Sequence, residues 1–196
     1  MIQAMTTEML ERFQAGFERA RVANVPEPTA MTLATVAEGG RPSARTVLLK
    51  DADPGGFVFY TNLNSRKGRH LVANPAVSLV FWWRETAEQV LVDGLAEPVS
   101  AVEADAYFAS RPRGSQVGAW ASRQSQELAS REELVARVKE IESRYEGREI
   151  PRPEHWSGFR VRPHRVEFWY GREYRLHERV CFDLKDGNWQ ETLLYP

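Results

Sequence analysis

The 196-residue chain has one cysteine, Cys181, and four histidines, at positions 70, 155, 164 and 177. One cysteine allows no intrachain disulfide and no cysteine-rich metal site. The histidines form neither an HxH nor an HExxH pattern, so no catalytic metal is expected. Runs of about 18 apolar residues are missing, which argues against a membrane-spanning helix. The opening MIQAMTTEMLERFQ reaches Glu8 with no apolar stretch behind it, unlike a secretory signal. An excess of one charge is missing too: 26 Lys+Arg face 27 Asp+Glu, for a formal net charge of −1. Proteins devoted to nucleic acid or anionic membranes usually carry a basic excess, so neither partner is expected. Neither GxGxxG after a strand nor GxxxxGK[ST] occurs. These absences leave a soluble cytoplasmic protein as the expectation.

What is present is an ordinary globular composition, 42% hydrophobic, with aromatics at 11%. The aromatic content suits a β-rich chain or one that holds a flat ligand. Residues 5–23 place Leu10, Phe13 and Phe17 at helical spacing, and Pro26 and Pro28 stop that helix. Residues 1–26 therefore read as an N-terminal helix and lead-in, and 27–196 as the main domain. Strands are expected at 31–36, 43–50, 56–62, 76–84 and 88–99, punctuated by Gly and Pro. Ser65 caps a short helix that Asn74-Pro75 ends, and Ser100-Glu103 and Ser130-Glu133 are capping-box patterns. The polar stretch 111–126 shows no period and reads as a loop around Trp120. Strands return at 158–163, 164–171, 174–184 and 189–195. This order lacks βαβα alternation, so the expected fold is mainly β: a closed antiparallel barrel with flanking helices.

The cations are unevenly spread. Six arginines fall between Arg160 and Arg179, and others cluster at Arg66-Lys67-Arg69 and Arg111-Pro112-Arg113. Arg binds phosphate oxygens in pairs through its planar fork, so a small phosphate ester is one reading. Solvated strand faces and surface ion pairs are the other. On a regular strand Arg175, His177 and Arg179 would share one face. Tyr107 and Arg111, four apart at a helix end, lie close to Ser115 and could form a phosphate cup. Ser65-Arg66-Lys67 opens a helix directly after a strand, where backbone N–H groups favour an anion. Cys181 falls inside a strand and reads as packing.

Several segments in order resemble one family. EPTAMTLATV (27–36), RTVLLK (45–50), FYTNLNSRKG (59–68), SRPRGSQVGAW (110–120), SRQSQ (122–126), EFW (167–169) and RLHER (175–179) are similar to the pyridoxamine 5′-phosphate oxidases. The resemblance runs from about residue 27 to the C-terminus. It implies a homodimer of FMN-binding split β-barrels of Greek-key type, with FMN between the subunits. It implies oxidation of pyridoxamine or pyridoxine 5′-phosphate to pyridoxal 5′-phosphate, by hydride transfer from C4′ to flavin N5. Oxygen is the acceptor, and hydrogen peroxide is released, with ammonia from the amine.

By the same resemblance, Arg45, Thr46, Val47, Leu48, Leu49 and Lys50 line the flavin, with Tyr60 and Thr61 beside it. Arg66 and Lys67 take its phosphate. Gln89, the pair Gln124 and Ser125, Trp169 and Arg179 complete the cofactor set. Lys50, Tyr107, Arg111 and Ser115 form the substrate phosphate cup. Arg175 and His177 hold the pyridine ring and are the catalytic pair. Glu88, Tyr170, Glu178 and Leu193 depart from the family's usual residues. WRET, SRQSQEL and LHER are also similar to the FMN oxidases of phenazine biosynthesis, but Lys50 and the RPRxSQ cup favour the vitamin B6 branch. A related oxidase of another aromatic metabolite, and a non-catalytic module binding FMN or pyridoxal phosphate, are the alternatives.

Overall fold

A computed structural model describes residues 3–196. Its centre is a barrel, built because most strands alternate buried and open positions. β1 (Ala30–Val36) pairs antiparallel with β2 (Pro42–Leu48) and β5 (Ala76–Trp83). β5 pairs with β6 (Glu88–Pro98), β6 with β7 (Trp156–Tyr170), and β7 with β4 (Gly56–Asn62). The short β3 (Asp51–Asp53) pairs with β4. Only Leu49 and Lys50 separate β2 from β3. The Leu49 N–H donates to Thr29 O at 2.8 Å on the β1 side, and the Lys50 N–H donates to Val58 O at 2.8 Å on the β4 side. The chain crosses between neighbours there and closes the barrel. The expected strand 43–50 is therefore broken, and Arg45 and Lys50 are freed from the alternation of a single regular strand.

β7 is one strand of 15 residues where the sequence suggested two. Its register against β6 shifts at Asp93/Gly94, leaving His164 as the extra residue of a β-bulge. Val161 and Phe159 face the core before the bulge, and Val166 and Phe168 after it. Because the bulge reverses the parity, Trp156 and Gly158 at one end and Trp169 at the other all face outward. β4 pairs with the first half of β7, and β8 (Glu178–Lys185) with the second half. The last strand, β9 (Asn188–Leu194), edges β8.

Helix α1 (Thr7–Val22) starts at Thr6, whose hydroxyl accepts from Met9 N at 3.2 Å. Met9, Phe13, Gly16 and Ala20 are its buried stripe, and it closes one end of the barrel. Phe13 sits edge-on to Phe57 and Phe81, with centroids 5.0 and 5.1 Å away. Arg19 grips Glu88 through two bonds of 2.8 Å. Phe13→Ala should lower the unfolding free energy by about 3–5 kcal/mol, read as a lower urea midpoint. An unchanged midpoint would show that α1 contributes no core.

The remaining helices are α2 (Arg66–Ala73), α3 (Ala101–Ser110), α4 (Arg113–Ala121) and α5 (Arg131–Arg144). Ser65, Ser100 and Ser130 each cap a helix, accepting from Gly68 N, Glu103 N and Glu133 N. Of the stretch 111–126 expected as a loop, 122–126 remains non-helical and 113–121 is taken up by α4. Its only buried residues are Val117 and Ala121, so it lacks the broad apolar stripe that marks a helix in sequence. A second small core of Phe108, Val117, Ala121, Ile141, Ile150 and Trp156 joins α3–α5 to the outer face of the barrel. Among the described residues, no helix is long and apolar enough to cross a membrane.

Candidate functional site

A cavity of about 660 Å³ opens between the outer barrel face and helices α3 and α4. The β2–β3 crossing gives it Thr46, Val47, Leu48 and Lys50, and β4 gives Tyr60, Thr61 and Asn62. Lys67 enters from the first turn of α2, and Gln124 from beyond α4. Tyr107, Arg111 and Ser115 come from the α3–α4 corner, and Trp156 closes the wall. Eleven of the residues named from sequence thus meet in one cavity.

Two anion-seeking groups can be distinguished within it. In the first, Lys67 Nζ donates to Thr61 Oγ1 at 3.2 Å and to Gln124 Oε1 at 3.0 Å. Burial and the neighbouring Arg45 charge lower the Lys67 pKa. Arg45 lies just outside the lining, with a pKa lowered by burial and by Arg66. It donates to Leu33 O at 3.0 Å and to Thr35 Oγ1 at 2.8 Å. Like charges gathered on one side of a barrel repel unless an anion answers them.

In the second group, Arg111 lies over the Trp156 ring at 4.7 Å and over Phe108 at 5.6 Å. Its Nη1 is buried with no hydrogen-bond partner among the described residues, and burial lowers its pKa. Tyr107 stacks on Tyr60 with centroids 4.0 Å apart, and burial pushes the Tyr60 hydroxyl up to about 12. An orphaned guanidinium N–H beside two hydroxyls is a fit for phosphate oxygens.

The other named residues lie elsewhere. Gln89, Trp169 and Arg179 are register partners across β6, β7 and β8, so they form one outward row. Trp169 packs against His177 at 4.5 Å and Trp82 at 6.0 Å. Tyr60 sits opposite Gly158, and Trp169 lies eleven residues further along β7. At the usual strand rise that is on the order of 30 Å of strand, too far for one small ligand to touch both within a chain. Arg179 is held by Glu167 through bonds of 2.7 and 3.1 Å, which raises the Arg179 pKa.

Arg175 and His177 do not share a strand face with Arg179. Glu173–Arg175 is a short 3₁₀ turn, and β8 begins only at Glu178. Tyr174 and Arg175 both have left-handed backbone, at φ 55° and 61°. The His177 Nδ1 accepts the Arg172 N–H at 3.2 Å, and Arg172 pairs with Glu178 at 2.9 Å. Two consecutive left-handed residues explain why a simple alternation rule misread this segment. Leu49, Arg66 and Ser125 flank the cavity in sequence without lining it. Cys181 is buried, and burial pushes its thiol up to about 11, which makes it packing rather than a nucleophile. Among the described residues, no cluster of three or more His, Cys, Asp or Glu could hold a metal ion.

Sequence reasoning missed Trp156, Asn62 and Trp82. Trp156 ends the Pro-rich segment 150–156, which reads only as a lead-in to a strand. Its one signal was an aromatic placed two residues before Gly158, on the same strand face.

Fold and site together define an antiparallel split barrel with a cationic, aromatic-lined cavity on its outer face. The chain belongs to the pyridoxamine 5′-phosphate oxidase family. Residues 17–145 match the family described as pyridoxamine 5′-phosphate oxidase. Residues 156–196 match the pyridoxine 5′-phosphate oxidase C-terminal dimerisation region. A pyridoxine/pyridoxamine 5′-phosphate oxidase of Myxococcus xanthus is 58% identical, with 95% of this chain and 91% of the relative covered. One from Rubrobacter xylanophilus is 55% identical, over 95% of this chain and 86% of the relative. Among solved structures, PhzG from Burkholderia lata 383, in complex with tetrahydrophenazine-1-carboxylic acid, superposes with a TM-score of 0.90. It is 36% identical and covers 96% of this chain and 91% of its own.

Proposed function

We propose that the protein oxidises pyridoxamine or pyridoxine 5′-phosphate to pyridoxal 5′-phosphate, with FMN as cofactor and O₂ as acceptor. The single observation that carries the reading is the buried, unpartnered Nη1 of Arg111 inside a cavity that also holds Lys50, Tyr107 and Ser115. A phosphate ester gives that donor its partner. When bound, FMN supplies the hydride acceptor and returns the electrons to O₂ as hydrogen peroxide.

The chain's own residues divide the work. Lys67 and Arg66, with Arg45 behind them, hold the cofactor phosphate; Thr61, Gln124 and Ser125 position its neighbourhood. Thr46, Val47, Leu48 and Leu49 present the β2–β3 backbone to the ring system, with Tyr60 alongside. Lys50, Tyr107, Arg111 and Ser115 anchor the substrate phosphate, and that anchoring sets the reactive carbon in place. Gln89, Trp169 and Arg179 close the cofactor site from the partner subunit of a homodimer, because the same chain's copies lie too far along β7. Arg175 and His177 come with them, Arg175 over the pyridine ring and His177 on its hydroxyl. Residues 27–196 supply every one of these groups, and 1–26 supply the helix that seals the barrel.

The test is oxygen uptake by the purified FMN-loaded protein given pyridoxine 5′-phosphate. Stoichiometric peroxide and pyridoxal 5′-phosphate are expected. No turnover would leave a binding module only. The likeness to PhzG raises a second reading, an oxidase of a phosphate-free aromatic acid. Arg111→Ala separates the two. It should raise KM for pyridoxine 5′-phosphate by roughly 10- to 100-fold, the worth of one charge-assisted phosphate contact. An unchanged KM would favour the phosphate-free substrate.

A further inference from the structure

We propose that Trp156 is a positioning residue for substrate recognition: it holds the Arg111 guanidinium in the plane that reads the phosphate. This rests on the phosphate-ester reading above and goes beyond it, because the role runs through the Arg111 guanidinium.

Trp156 is 6% exposed and fixed on both sides. Its backbone N–H donates to Pro153 O at 2.9 Å, and its backbone carbonyl accepts from Arg152 Nη1 at 2.8 Å. Arg152 in turn pairs with Asp105 of α3 at 2.6 Å. The indole is nearly parallel to Tyr60 (6°, centroids 5.2 Å) and to Tyr107 (9°, 6.2 Å). The Arg111 guanidinium lies over the indole at 4.7 Å. A guanidinium seated over a ring spends none of its N–H groups on an acid. A carboxylate partner would instead consume the donors that a phosphate needs. Among the described residues no ion pair involves Arg111, whereas Arg160 and Arg179 on the neighbouring sheet are both paired with acids. An aromatic seat is therefore what keeps a half-buried cation ordered and unspent.

Gly158, two residues along the same face of β7, makes room for the stack. A Cβ there would come within 2.7 Å of Cδ1 and Cε1 of Tyr60. The Tyr60 ring would have to lift, and Tyr107 lies against it at 4.0 Å. Trp156 and Gly158 thus build one seat under Arg111, Tyr60 and Tyr107.

The experiment measures pyridoxal 5′-phosphate binding and pyridoxine 5′-phosphate kinetics in FMN-loaded wild type, Trp156→Leu, Trp156→Phe, Arg111→Ala and the Arg111→Ala/Trp156→Leu double variant. Trp156→Leu should weaken pyridoxal 5′-phosphate binding about 3- to 30-fold, the range of a desolvated cation–π contact. The loss should fall on KM rather than kcat, and Trp156→Phe should recover most of it. In the Arg111→Ala background Trp156→Leu should add almost nothing, because its effect runs through Arg111. Additive losses, or undiminished affinity in folded Trp156→Leu, would overturn the proposal. If Trp156→Leu does not fold, Trp156→Met takes its place as the variant without an aromatic seat, and undiminished affinity in folded Trp156→Met sinks the idea. Should Arg111→Ala itself bind pyridoxal 5′-phosphate like wild type, the phosphate-ester reading fails instead.

Discussion

Arg175→Met should cut turnover of pyridoxine 5′-phosphate by roughly two to four orders of magnitude, the span of a lost proton-handling group, while the purified protein keeps its yellow FMN. The separation of the two effects follows from where Arg175 stands. It lies outside the cavity that gathers Lys67, Thr61 and Gln124, the group proposed to hold the cofactor phosphate, so FMN retention is not expected to depend on it. It is exposed on a turn whose backbone is left-handed at two consecutive non-glycine residues, Tyr174 and Arg175. Such conformations cost on the order of 1–3 kcal/mol each and persist where the surroundings impose them.

The surroundings here are identifiable. Arg172 and Glu178 clamp the two ends of the turn at 2.9 Å. The Arg172 N–H fixes the His177 ring through Nδ1, and Trp169 backs that ring at 4.5 Å. With Nδ1 taken by the Arg172 N–H, Nε2 is the ring nitrogen left for the proposed contact with the substrate hydroxyl. Methionine preserves the length of Arg175 and removes its charge and donors. FMN content is read from the flavin absorbance and turnover from peroxide release. Near-normal turnover with full FMN would remove Arg175 from the chemistry.

Most of the barrel was legible because its strands obey alternation and its turns carry Gly and Pro. The capping serines also declared themselves, since Ser65, Ser100 and Ser130 each accept the bond their spacing implies. What was hidden has physical causes. α4 contains Gly114 and Gly118 and buries only two small faces, so no period appears. The β-bulge at His164 makes one strand look like two, with Pro163 as a false boundary. At Leu49-Lys50 the chain changes partners, and no local rule marks a strand that leaves one neighbour for another. The cavity residues were nameable by resemblance. That Gln89, Trp169 and Arg179 stand at the other end of β7 from that cavity was not, because spacing along a strand says nothing about which copy of it meets a ligand.

That separation leads to the second large effect. Equal amounts of Arg111→Glu and Arg175→Met protein, each nearly inactive, should regain about 25% of wild-type turnover when unfolded and refolded together. Half of randomly paired dimers are hybrids. In each hybrid one site takes its cavity from the Arg175→Met chain and its Arg175 from the Arg111→Glu chain. That site is intact, and the other carries both lesions. Arg111→Glu is the appropriate partner because it sets a carboxylate against the substrate phosphate in a half-buried pocket, where like charges repel most. The regained activity should track the hybrid fraction as the mixing ratio is varied, with its maximum at equal amounts. If both groups acted from one chain, every site in the mixture would keep one lesion and nothing would be regained. The roughly 30 Å of β7 between Gly158 and Trp169 argues for the former outcome, since the outward row of Gln89, Trp169 and Arg179 stands at the other end of β7 from the cavity that Tyr60 and Trp156 line.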